Sequence, residues 1–88
     1  MIETKVQIIN KAGLHVRPAA NLVKIAAKYK SEFFITRNGF RINGKSIIGV
    51  MSIAAEVGAI LEMQFDGPDE NDMCKEIVSL IERGFDEI

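Results

Sequence analysis

Residues 33–43 read FFITRNGFRIN. Two short runs rich in aromatic and β-branched residues flank Asn38-Gly39, the dipeptide best suited to the positive backbone angles of a two-residue hairpin turn. The stretch predicts two antiparallel strands, over 33–37 and 40–43, and the rest of the fold has to be built around that hairpin.

On its N-terminal side, IETKVQII at 2–9 puts Ile2, Thr4, Val6 and Ile8 on one face and Glu3, Lys5 and Gln7 on the other, the period of a half-buried strand. Residues 10–14 contain a glycine and break that period. VRPAANLVKIAAKYK at 16–30 then spaces Ala19, Leu22, Ala26 and Tyr29 along one side of a helix, expected from about Val16 to Ala27, with Pro18 tolerable only in its first turn.

On the C-terminal side, GKSIIGVMSIAA at 44–55 loses strand alternation. Ser46 stands before an apolar run, where its hydroxyl can cap a short helix that Gly49 weakens. ILEMQFD at 60–66 alternates Leu61, Met63 and Phe65 against Glu62, Gln64 and Asp66, a fourth strand that ends at Gly67-Pro68. Asp69 and Asp72 resemble a capping arrangement for a last helix over about 70–83, whose stripe is Met73, Ile77, Leu80 and Ile81 and whose stop is Gly84.

The order is therefore βαββαβα. Single-sided helices around a central hairpin predict an α+β, open-faced β-sandwich: one four-stranded, mostly antiparallel sheet with three helices on one face. At 88 residues the chain suits one core, so residues 1–88 are expected to form a single domain.

Composition narrows the function. Apolar residues make up 48% and charged residues 26%, a globular balance. The net charge is -1 with no basic block, which excludes a nucleic-acid surface driven by counterion release, and no stacking aromatics lie in a ribonucleoprotein motif. One cysteine, Cys74, forms no internal disulfide, and its place beside Met73 and Ile77 reads as a small hydrophobe without a function. No leader and no apolar run long enough for a bilayer is seen, so no membrane insertion and a cytoplasmic location are expected. One His and one Cys far apart make no zinc site, and the acidic run 66–72 lacks calcium-loop spacing, so neither metal nor cofactor is expected.

The chemistry gathers at GLHVRPAA, residues 13–20, which holds the only histidine. If the helix starts at Val16, His15 lies at its N-cap, where unpaired amide N–H groups make an anion site. A ring nitrogen there can attack phosphorus, and the field of the helix then stabilises the phosphate that arrives. Arg17 adds a guanidinium fork suited to phosphate oxygens, Gly13 allows close backbone approach, and Pro18 stiffens the first turn. The residues alone leave two readings open: a phosphate site, or an ordinary helix opening that carries a histidine.

GLHVRPAANLVKIAAKYKS, the hairpin and GKSIIGVMSIAAEVGAIL, in that order, resemble the HPr family from end to end. These are the histidine-containing phosphocarriers of the bacterial phosphoenolpyruvate-dependent phosphotransferase system. The resemblance implies that His15 is phosphorylated on Nδ1 by enzyme I, with Arg17 stabilising the phosphate, and that it passes the phosphoryl group to an enzyme IIA domain. The chain would thus be a covalent intermediate in sugar transport rather than a stand-alone enzyme, and a monomer. It implies that Ser46 matches the serine modified by HPr kinase/phosphorylase, and that Val16, Ala20 and Lys24 on the first helix, with Ile47, Ile48, Gly49 and Met51 on the short one, meet these partners. Val16 stands where alanine or threonine is common, and Ala27 where many relatives carry a basic residue. The alternative within the resemblance is a nitrogen-type or kinase-controlled regulator that acts through phosphorylation-dependent binding without sugar transport.

Overall fold

In the structure, a computed structural model that describes residues 1–87, Asn38 and Gly39 take φ of 51° and 82° and turn β2 (Glu32–Arg37) back onto β3 (Phe40–Asn43). Two successive left-handed residues match the twist of the flanking strands, which is why Asn-Gly suits this turn. β1 (Ile2–Gln7) and β4 (Ile60–Asp66) complete a sheet of order β1-β4-β2-β3, antiparallel at every adjacent pair rather than mostly so.

The register puts Ile2, Thr4 and Val6 opposite Phe65, Met63 and Leu61, and Phe33 and Ile35 opposite Phe65 and Met63. All of these share one face of the sheet because side chains alternate along each strand. Phe33 and Phe65 stack with ring centroids 4.8 Å apart and planes 3° from parallel, which anchors the middle of the sheet. Gly44 passes directly beneath: a Cβ there would lie 2.3 Å from the Phe33 ring, so only glycine fits.

Three helices cover that face: α1 (Val16–Ala26), α2 (Ile47–Ser52) and α3 (Glu70–Glu82). The expected stripes are the ones buried, with Ala19, Leu22 and Ala26 of α1 and Met73, Ile77 and Ile81 of α3 fully closed to solvent. Burying a leucine such as Leu22 stabilises the fold by about 1.5–3 kcal/mol, so this stripe holds α1 to the sheet more firmly than its helix propensity does. Tyr29 lies beyond the end of α1 and hydrogen-bonds Glu76 of α3, and that bond, with burial and the Glu76 charge, pushes its phenol up to about 12. The opposite face, with Lys5, Thr36, Arg41 and Glu62, is open and polar.

One local expectation is corrected. Asp69 does precede α3, but its carboxylate makes no cap bond to the helix and Asp72 does not complete a capping box. The Asp69 carboxylate instead accepts from the Ser31 hydroxyl at 2.5 Å and from the Lys30 and Ser31 amides at 2.9 Å each, tying the start of α3 to the start of β2. Three donors outweigh the one amide a cap would satisfy, and they hold the Asp69 carboxyl down at about 2, the Ser31 hydroxyl contributing most. Gly84, with φ of 65°, ends α3 as expected, and a 3-10 turn over Gly84–Asp86 then buries Phe85 in the core and carries Glu87 toward His15.

Candidate functional site

The loop before α1 is shaped by contacts from three directions. Gly13 has φ of +72° and its N–H donates to the Asn10 carbonyl at 3.0 Å, closing a turn. A Cβ on Gly13 would lie 2.5 Å from the Ala55 carbonyl oxygen, so sterics and backbone conformation both require glycine. The next residue, Leu14, donates its amide to that same carbonyl at 2.8 Å and buries its side chain. Ala55 in turn lies in a segment braced by Arg37, whose guanidinium donates to the Ile53 and Ala54 carbonyls and to Glu56.

This bracing sets His15 in extended conformation (φ -87°, ψ -170°) as the N-cap of α1. Its carbonyl accepts the first intrahelical bond, from Ala19 N–H at 3.0 Å, while its side chain makes no cap bond and stands out from the surface, 41% exposed. The Val16 and Arg17 amides precede the first residue with a helical partner, and Pro18 has no N–H, so two donors point out of the helix beside the ring.

Among the described residues, the imidazole is held from one side only. Nε2 lies 3.3 Å from Oε1 and 3.2 Å from Oε2 of Glu87, and Oε1 also accepts from Asn10 Nδ2 at 2.9 Å. Burial works against the Glu87 carboxylate, yet the hydrogen bonds from Asn10 and His15 and the nearby charge of Arg17 hold its pKa below the usual range. Lys11, His15, Arg17, Asn21, Phe85 and Glu87 line an open groove of about 860 Å³ around the ring.

Ser46 begins α2 in extended conformation, and its Oγ accepts the Gly49 amide at 3.1 Å. It is the N-cap that the sequence indicated. α2 packs against α1. Ile47, Ile48 and Met51 are exposed on α2, Ile48 to 80%, and Val16, Ala20 and Lys24 are exposed at four-residue steps along α1. Gly49, grouped with these from the sequence, is half-buried, and a Cβ there would lie 3.2 Å from the Asn43 carbonyl oxygen and 3.5 Å from Ile42, so glycine lets α2 sit close to β3.

Cys74 is half-buried on α3, where burial pushes its thiol up. Among the described residues, no three His, Cys, Asp or Glu side chains gather as a metal site, and no helix is long and apolar enough to cross a membrane. Sequence reasoning missed Lys11 and Glu87, which line the groove, and buried Asn10, which holds Glu87 from behind it. Asn10 sits in the turn that breaks the first strand period, a weak local signal, whereas Glu87 is 72 positions from His15 and carried none.

Residues 2–83 match the family described as PTS-HPr, PTS HPr component phosphorylation site. The phosphocarrier protein HPr of Neisseria meningitidis is 40% identical over 87 residues, covering 99% of this chain and 98% of its own. The crystal structure of HPr from Thermoanaerobacter tengcongensis superposes with a TM-score of 0.96 at 39% identity, over 100% of this chain and 99% of that one. A dimer of HPr from the same organism is also similar, with a TM-score of 0.77 at 39% identity over 97% and 98% of the two chains.

Proposed function

The chain belongs to the HPr family of phosphocarriers of the phosphotransferase system, and from that premise we propose that His15 is the residue that carries the phosphoryl group. The observation that carries this reading is the position of the ring: exposed at the opening of α1, Nε2 occupied by Glu87, two free amides alongside and Arg17 on the same groove. Nδ1 is the nitrogen left to react.

The donor is phospho-enzyme I. The Nδ1 lone pair of neutral His15 forms a new N–P bond as the P–N bond of the donor phosphohistidine breaks, and that bond's electron pair returns to the donor ring. The proton on Nε2 stays where it is, so the phosphorylated ring is cationic and faces the Glu87 carboxylate. Val16 and Arg17 amides and the Arg17 guanidinium receive the phosphoryl oxygens. The reverse step delivers the group to an enzyme IIA domain.

The exposed apolar residues Val16, Ile47, Ile48 and Met51, with Ala20 and Lys24, form the docking surface for these partners and for HPr kinase/phosphorylase. Ser46 is the kinase's target and lies at the edge of that surface, so its phosphate reports on docking rather than on the His15 groove. The protein works as a cytoplasmic monomer. Incubation with enzyme I and phosphoenolpyruvate, read by intact mass and by stability of the adduct to acid and base, tests the central claim. One acid-labile, base-stable phosphate on His15 is expected; an unmodified mass, or a phosphate on another residue, overturns it.

A further inference from the structure

We propose that Asn10 and Glu87 are positioning residues that set the tautomer of His15, and with it the nitrogen that takes the phosphoryl group. This rests on His15 as the acceptor and goes beyond it, because an imidazole at a helix opening is not by itself committed to one nitrogen. A neutral ring carries its proton on either Nδ1 or Nε2, and whichever nitrogen is protonated has no lone pair for phosphorus.

The contacts of the ring favour one form. A carboxylate only accepts, so Nε2 facing both oxygens of Glu87, at 3.3 and 3.2 Å, must carry the proton to gain from the contact. The Nδ1–H form would instead turn a lone pair toward that carboxylate. Glu87 is therefore a selector, and its own placement depends on Asn10.

Asn10 is 2% exposed, and both hydrogens of its amide are used: Nδ2 donates to the Gly13 carbonyl at 2.7 Å and to Glu87 Oε1 at 2.9 Å. The orientation of the amide is fixed by those two acceptors, since turning it over would set its oxygen against two oxygens. Its Oδ1, by contrast, is buried without a hydrogen-bond partner. A buried amide held with one end unsatisfied is costly, and its geometry serves only the two oxygens at the site. Through Gly13 the same side chain fixes the backbone that presents His15, and through Glu87 it fixes the group that faces the ring. The 3-10 turn after α3, anchored by buried Phe85, brings the carboxylate into range. During transfer the same carboxylate retains the Nε2 proton and faces the positive charge that develops on the ring, so its loss affects both the choice of nitrogen and the rate.

The test begins on the unphosphorylated protein, independently of any partner. Long-range proton–nitrogen spectroscopy of His15 in its neutral form reports the two tautomers directly. The wild-type ring is expected to be the Nε2–H form throughout; Glu87→Ala is expected to admit a measurable Nδ1–H population with the fold unchanged, and Asn10→Ala to do so less completely. Asn10→Ala also removes the brace on Gly13, so Glu87→Ala carries the decision if the asparagine variant unfolds. With enzyme I and phosphoenolpyruvate, Glu87→Ala is expected to slow phosphorylation of His15 by tenfold or more and to place a fraction of the phosphate on Nε2. An identical tautomer ratio in wild type and Glu87→Ala overturns the proposal. A tautomer shift in a protein that enzyme I does not phosphorylate supports the relay and overturns the carrier reading instead, so the two failures are told apart.

Discussion

At position 15 an ordinary N-cap would be Ser, Thr, Asp or Asn, whose oxygen accepts an amide of the first turn. Histidine gives up that bond here, and the amides it leaves uncapped are the ones proposed to receive the phosphoryl oxygens. Because the ring contributes nothing to capping and stands out from the surface, His15→Ala is expected to abolish phosphorylation by enzyme I with the thermal midpoint nearly unchanged. Intact mass and a thermal melt check both halves, and normal phosphate uptake by the variant would remove His15 from the mechanism. Arg17→Ala should leave the protein phosphorylatable but slower. A charge-assisted contact is worth about 1.5–3 kcal/mol, and solvent screening of an exposed guanidinium points to the low end, roughly a tenfold loss of rate. Lysine should restore only part of it, since it offers no fork. Rapid-quench measurement decides, and a wild-type rate in Arg17→Ala counts against the assignment.

The elements that present these residues are short, and their ends matter more than their lengths. α2 is held by one side-chain cap, Ser46 Oγ to Gly49 N–H. Ser46→Asp keeps an acceptor there and adds a negative charge that the helix end favours by roughly 0.3–1 kcal/mol, so the thermal midpoint should hold or rise. The same charge sits at the edge of the Ile47, Ile48 and Met51 surface, and against an acidic partner it should weaken docking and slow phosphorylation of His15, less so as salt screens it. Rates at low and high ionic strength, with melts alongside, test this; a wild-type rate at low salt counts against it. At the other helix, Gly13→Ala demands a left-handed alanine and pushes a methyl to 2.5 Å from the Ala55 oxygen. We expect about 2 kcal/mol or more of destabilisation and a displaced His15, read by urea unfolding and by slowed phosphorylation. A variant as stable as wild type would show that the Ala55 segment yields.

Across the whole molecule, ties between distant elements hold the helical layer to the sheet. Asp69 is the clearest, because its carboxyl is held at about 2 in the folded state, well below its usual value of 3.8. A depressed pKa means that the unfolded chain binds the proton more readily, so this contribution is fully present above about pH 4 and is lost as the pH falls through about 2. Other carboxylates titrate nearby, among them Glu56, Glu70 and Glu76, so the comparison is what isolates the tie. Asp69→Asn should flatten the fall of the urea midpoint between pH 4 and 2 relative to wild type. Parallel curves for the two proteins would mean that the Ser31 and Lys30 donors add nothing to acid stability.

Features governed by local period and local steric rule are legible from the chain without its fold. The 2.0 period of residues 2–8 and 60–66, the Asn38-Gly39 turn, the stripe from Ala19 to Ala26 and the Ser46 cap each rest on residues within a few positions of one another. Given those elements, the twist of strands and the one-sided helices leave few ways to close a core, so the open-faced sheet was legible too. The place of His15 and Arg17 at the start of α1 was legible because a helix opening is a local event. The folded arrangement alone fixes which donors reach Asp69 and that Glu87 returns to the ring. In each case the partner is distant in sequence, and nothing in a neighbouring residue encodes it. Asp69 read as a cap because the local rule knows only its own helix, while the Ser31 and Lys30 amides that win it arrive 38 and 39 positions away. The nitrogen proposed to react belongs with these: the residue type supplies two, and in our proposal the choice between them falls to a carboxylate that buried Phe85 and Asn10 hold in place.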